Sequence, residues 1–344
     1  MENFQQKRRL WAVGLLVFFL ILGQTSVFAE GRTLVPVGQT VGVTLDMEGV
    51  TIVDTADVES YDGKRYAPAK EAGLKAGDVV EEINGTVIKS AQQLEELVND
   101  QGESTLEVKA KRQGEEKQFQ VQAALSSADG HYRMGVWIKD AASGIGTVTY
   151  FDPQTREFGA LGHGISENPD QEAIPIQGGS ILKATVVSIQ KGGKGQPGEL
   201  VGVFTEGKEK LGSIASNTVV GLRGSLDAKA ELDTIMEPVP VSDRSEAQEG
   251  PAEILSNIEG NKVDTFSIEI QKINKDADNT KGMVVKVTDP RLLEKTGGIV
   301  QGMSGSPILQ NGKLVGAVTH VLLSDATKGY GISMETMLNA GENV

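Results

Sequence analysis

The sequence predicts a mostly-β chain in two parts, a small α/β module followed by a larger barrel or sandwich. Three observations carry that expectation. Gly reaches 42 residues while aromatics make up only 5%, a balance that suits strands and turns better than a helical bundle. Short apolar runs separated by turn residues recur from about residue 135 to 323, the spacing of a barrel or sandwich. Ahead of them one amphipathic helix stands out, with Ser90 as its N-cap and Leu94, Leu97 and Val98 on one face.

The expected division is 1–29 as a signal peptide or membrane anchor, 30–126 as the small module with an N-terminal linker, and 127–344 as the large domain. Lys7, Arg8 and Arg9 precede an apolar run from Leu10 to Leu22. As a helix that run rises about 20 Å, the length of a signal-peptide core and short of the bilayer. Val27-Phe28-Ala29 offers a cleavage site, whereas extension to Phe28 gives an uncleaved anchor. Either way the remainder is expected beyond the membrane, tethered until cut.

Composition removes several function classes. A net charge of −14 argues against nucleic acid as a partner. Cysteine is absent, which excludes disulfides and a thiol nucleophile. His131, His163 and His320 are the only histidines, too dispersed for a metal site. No metal or cofactor is expected.

Within the small module, strands are expected at Val41–Leu45, Gly49–Val53 and Val79–Ile83, the last running into an Asn84-Gly85 turn. A final hairpin, Leu106–Arg112 with Lys117–Ala123, closes over Gln113-Gly114. This order, and above all the string from Ala72 to Gly85, resembles the bacterial PDZ family over about eighty residues. In that fold a loop offers backbone amides to a peptide terminus, and the peptide adds as a strand beside the long helix. The resemblance assigns this role to Val41, Gly42, Val43, Thr44 and Leu45; Gly42 also reads as an ordinary turn glycine.

Ser126–Gly130 reads as a linker, and Lys191–Gly198 as a hairpin tip rather than a phosphate loop, since no helix follows. The sharpest local signal is Gly302-Met303-Ser304-Gly305-Ser306-Pro307, followed by a hairpin through Asn311-Gly312. It resembles the nucleophile turn of chymotrypsin-like serine proteases, which implies a trypsin-like double β-barrel. Ser304 is then the nucleophile, and the amides of Gly302 and Ser304 form the oxyanion hole. A serine hydroxyl needs a base. His163, flanked by glycines at a strand end, is preferred to His320, which reads as a structural histidine on the strand after the nucleophile. Asp289, fifteen residues before Ser304, is the candidate carboxylate. Asp289-Pro290 also reads as a strand-ending turn.

The export segment, PDZ module, Phe158–His163, Thr288-Asp289-Pro290 and Gly302–Pro307, in that order, resemble the family of stage IV sporulation protein B peptidases. The resemblance spans essentially the whole chain and implies catalytic roles for His163, Asp289 and Ser304. It also implies secretion from the forespore into the intermembrane space. There such an enzyme cleaves a membrane-bound regulator of an intramembrane protease, so that a late sigma factor matures. Self-cleavage belongs to the same picture, with the PDZ module binding another copy of the chain. The exposed stretch Gly31–Thr40 is where it would fall. Two rival readings are a general envelope quality-control PDZ protease and a non-enzymatic PDZ adaptor.

Overall fold

A computed structural model describes residues 31–166, 173–193, 195–204, 209–274 and 279–339. The expected signal or anchor segment lies outside the described residues. Among those described, no helix is long and apolar enough to cross a membrane.

The PDZ module is built on strands β1 (Thr40–Thr55), β2 (Val79–Ile83), β3 (Thr105–Arg112) and β4 (Glu115–Gln122), side by side in that order. Helix α1 (Pro68–Ala72) starts on a proline and stops at Gly73 in the left-handed conformation. Helix α2 (Ala91–Gln101) begins where Ser90 Oγ accepts the Gln93 amide, and it buries Leu94 and Val98. These side chains join Val50, Ile52, Leu106 and Val121 in the module's own core. The two hairpin turns carry Asn84-Gly85 and Gln113-Gly114 at positive φ, as expected of two-residue hairpins.

The first barrel takes β1 as one of its own staves. β5 (Val136–Phe151), β6 (Glu157–Ala160) and β7 (Ile176–Lys183) follow, then the separate hairpin β8 (Thr185–Gln190) and β9 (Glu199–Val203). β10 (Lys210–Thr218) and β11 (Gly221–Leu226) complete it. The pairings run β1–β5–β6–β11–β10–β7 and return to β1, so six strands close on themselves. The second barrel is β12 (Gly250–Glu259), β13 (Lys262–Ile273) and β14 (Met283–Val287), with β15 (Pro307–Gln310), β16 (Lys313–Leu322) and β17 (Asp325–Ser333). Helix α3 (Pro290–Thr296) leads from β14 toward the turn at Gly302–Pro307, and helix α4 (Met334–Asn339) follows β17. Each barrel has its own core. A fourth cluster, including Tyr150, Leu255, Leu309, Ile332 and Met337, lies between them.

This architecture is the expected one, a PDZ module and a chymotrypsin-like double barrel, with two corrections. First, Val41–Leu45 is no open carboxylate loop. The segment pairs with β5 on one side and β7 on the other, and Val41, Val43 and Leu45 are buried in the first barrel. Both edges of the strand are used, so no peptide can add there. A Cβ at Gly42 would lie 2.4 Å from the Phe204 ring, so this glycine admits an aromatic side chain rather than a ligand backbone. Further along, beside α2, the edge of β1 is taken by the chain itself, with Val136 opposite Thr55 and Ile138 opposite Ile52.

Second, the expected linkers are structured. Thr33–Pro36 is a short strand paired with the end of β5, and Leu34 and Val37 are fully buried. Ser126 is buried too and its amide bonds the His131 carbonyl. From Leu34 onward the chain is one compact unit, because β1 and β5 belong to module and barrel at once. β5 is a single strand sixteen residues long.

Candidate active site

The turn Gly302–Pro307 lies between α3 and β15. Gly302 takes φ +95°, and a Cβ there would meet Leu200 at 3.0 Å; only glycine makes this turn without strain. The amides of Gln301, Met303, Gly305 and Ser306 donate to the carbonyls of Gly198, Val300, Val318 and Met303. Among the described residues the Gly302 and Ser304 amides have no acceptor. Two free N–H groups thus stand in the same turn as the Ser304 side chain, whose hydroxyl donates to the Thr319 carbonyl at 2.6 Å.

His163 comes from the first barrel. β6 ends at Ala160, and Leu161 and Gly162 both adopt positive φ, a turn that carries the next residue toward the second barrel. The Nδ1 atom lies 2.9 Å from the Gly164 carbonyl. A carbonyl only accepts, so Nδ1 carries the proton and Nε2 is left as a base. Burial lowers the pKa of this imidazole from 6.5, which keeps it neutral near pH 7.

His320, read from sequence as structural, faces the same site. Its ring centroid is 4.6 Å from that of His163, tilted by 34°. Burial, the neighbouring His163 and Lys281 lower its pKa to about 4, and its Nδ1 is buried with no partner among the described residues. The available signal was positional: the strand following a nucleophile hairpin returns past the nucleophile. Ser304, His163, His320 and Gly302 share a cavity of about 530 Å³. Much of its wall is apolar, from Val43, Ile145, Leu161, Ile165, Val300 and Val321.

Asp289 is the exception. It is the N-cap of α3, where Oδ1 accepts the Arg291 amide at 2.9 Å. Its carboxylate also accepts from the Arg291 guanidinium at 2.8 and 3.1 Å and from the Ser267 amide at 3.3 Å. The Arg291 hydrogen bonds hold its pKa down at about 2. The expected bond to the imidazole is not formed, because the Asp-Pro pair serves as a helix start whose oxygens are already engaged. The Gly164 carbonyl stands on the His163 Nδ1 in its place. Among the described residues no cluster of three or more acidic or histidine side chains suits a metal.

Two barrels, with Ser304 on a glycine-bearing turn of one and a neutral imidazole from the other lining the same cavity, have the layout of a serine peptidase, here fused to a PDZ module. Residues 130–338 match the family profile described as SpoIVB peptidase S55, and residues 39–123 match that of the PDZ domain. The chain belongs to the SpoIVB peptidase S55 family, a family of sporulation serine peptidases. No curated protein matches it. Among solved structures it is similar to the PDZ domain of an SdrC-like protein from Listeria monocytogenes. That similarity has 20% identity and a TM-score of 0.22, over 27% of this chain and 90% of that one. It is also similar to human heparin binding protein, with 12% identity and a TM-score of 0.31, over 58% of this chain and 84% of that one.

Proposed function

We propose that Ser304 is the nucleophile of this peptidase and His163 its general base. Ser304 Oγ rotates off the Thr319 carbonyl, passes its proton to His163 Nε2 and bonds to the scissile carbonyl carbon. The carbonyl oxygen becomes an oxyanion, which the Gly302 and Ser304 amides stabilise. His163, held through Nδ1 by Gly164, then gives its proton to the amine nitrogen as the carbonyl re-forms and the C–N bond breaks, and water reverses the sequence on the acyl-enzyme. The observation that carries this reading is the pair of free amides at Gly302 and Ser304, in a cavity shared with a neutral imidazole. Labelling by a fluorophosphonate tests it: the label is expected on Ser304, and labelling that persists in Ser304→Ala overturns the assignment.

The substrate class is protein. The finer reading is an exported enzyme, tethered by its N-terminal segment in the forespore intermembrane space, that cleaves a membrane-bound regulator of an intramembrane protease. Family membership and the basic-then-apolar start of the chain support it. Self-cleavage, if it releases the folded protein, is confined to bonds before Leu34, since Leu34 to Thr40 are buried almost throughout. N-terminal sequencing of the mature protein and of Ser304→Ala checks this. A Ser304-dependent new terminus beyond Leu34 overturns it.

A further inference from the structure

We propose that Thr147 is a positioning residue for the nucleophile turn, holding the Gly302 and Ser304 carbonyls so that the two free amides stay aimed into the cavity. The inference rests on the reading of those amides as the oxyanion hole. Thr147 belongs to β5 of the first barrel, whereas the turn belongs to the second, and Thr147 is fully buried. Its hydroxyl donates to the Gly302 carbonyl at 2.6 Å, and its amide donates to the Ser304 carbonyl at 3.2 Å. One residue thus grips the turn on both sides of Met303.

The reason this matters is the planarity of the peptide unit, which fixes each amide opposite its own carbonyl. The Gly302 amide shares a plane with the Gln301 carbonyl, held by the Leu200 amide at 2.8 Å. The Ser304 amide shares one with the Met303 carbonyl, held by the Ser306 amide at 2.9 Å. Between these two planes lies the Gly302–Met303 unit, and it pivots on a glycine, the residue with the freest backbone. Its amide reaches Val300 at 3.1 Å, and its carbonyl has the Thr147 hydroxyl. Without that hydroxyl the middle plane is held at one end only, and rotation there turns the donors on either side away from a common point. Beyond Ser304 the Ser304–Gly305 unit is held by the Thr147 amide and the Val318 carbonyl. Stabilisation of an oxyanion needs donors fixed in advance of the reaction, and Thr147 supplies that fixation from across the cleft. It does not line the cavity that Ser304 and His163 share.

The test uses the full chain with Thr147→Val, which keeps the shape and loses the donor, and Thr147→Ser, which keeps the donor. Removing an oxyanion donor outright costs about 10²–10³ in kcat, so loosening two of them is expected to lower kcat about tenfold in Thr147→Val. KM should stay within about twofold, affinity for a peptide boronate should fall in step with kcat/KM, and Thr147→Ser should recover most of both. Thermal melting establishes that each variant is folded. A folded Thr147→Val with kcat within twofold of wild type overturns the proposal, and so does a Thr147→Ser as slow as the valine variant. Mass spectrometry of the wild-type boronate adduct is the control for the underlying reading. An adduct away from Ser304 refutes the nucleophile assignment, whereas an adduct on Ser304 with an indifferent Thr147→Val refutes only the role of Thr147.

Discussion

The two barrels have the same number of staves and contribute unequally to independence. The second is assembled from one stretch, Gly250 to Ser333, and the pairings that close it are among its own six strands. The first shares its staves: β1 runs from the barrel into the PDZ sheet, and β5 begins beside β1 next to α2 and ends near the nucleophile turn. On the proposed assignment, the nucleophile sits on the barrel closed by its own strands, while the base sits on one that shares two strands with the PDZ module. Loss of the PDZ module should thus damage catalysis through the scaffold, whether or not the module also binds a partner.

The sharpest way to break that picture is at the two ends of the proton path. Ser304→Ala and His163→Ala are each expected to lose at least about 10⁴-fold in kcat, with the double variant scarcely worse, because such groups act as a unit. His320→Ala should retain far more activity than His163→Ala. The reverse ranking, measured on folded protein, would reassign the base to the second barrel and leave the first with no chemical part.

Contact between the barrels is the next point of attack. Gly305 has φ +98°, and a Cβ there would lie 2.2 Å from the Thr147 carbonyl and 2.6 Å from the Leu161 amide, both backbone atoms of the first barrel. Gly305→Ala is expected to cost on the order of 3 kcal/mol, from backbone strain and forced separation together. Gly312→Ala, also at positive φ but with open space around it, should cost about 1 kcal/mol. Urea unfolding of both decides the matter. Equal losses would mean that the barrels do not press on each other at Gly305.

The same contrast explains what could be read from the sequence. The second barrel's site is local: a six-residue turn, a hairpin and a strand returning beside it, so Gly302–Pro307 and Asn311-Gly312 announce it. The PDZ hairpin turns and the Ser90 cap were legible for the same reason. What the first barrel does with β1 was not. Alternating residues tell that Val41–Leu45 is a strand, but not which two strands, about a hundred residues or more further on, will flank it. Thr147 carried no signal at all, since its role is set by a partner 155 residues away. Asp289 rests on a local feature with two meanings: Asp before Pro at a helix start satisfies the order of a triad and the chemistry of a cap equally well.

Asp289 therefore gives a smaller and more discriminating experiment. As a cap with an ion pair to the largely exposed Arg291, its replacement by alanine should cost on the order of 1–2 kcal/mol, with kcat of the folded protein falling less than tenfold. Asp289→Asn should be milder in stability, since Asn also caps. A loss of order 10⁴ in kcat with unchanged melting would instead be the signature of a triad carboxylate. It would show that the acid reaches His163 during turnover.

The smallest effect concerns the histidine pair itself. Both rings lie in the folded protein with pKa values below 6.5, His320 at about 4, while in the unfolded chain they titrate near 6.5. Between those values the unfolded state binds more protons, so stability should fall as pH falls from 6.5 toward 4. His320 is only partly buried, and solvent screening reduces its share to on the order of 1 kcal/mol. The groups that face it are His163 and Lys281. Melting between pH 7 and 5 isolates the effect. Wild type should lose stability over that range, and His320→Phe, which keeps a ring against His163 and removes the titration, should lose less. An identical slope in the two proteins would place the pH sensitivity elsewhere and leave His320 as inert as the sequence first made it look.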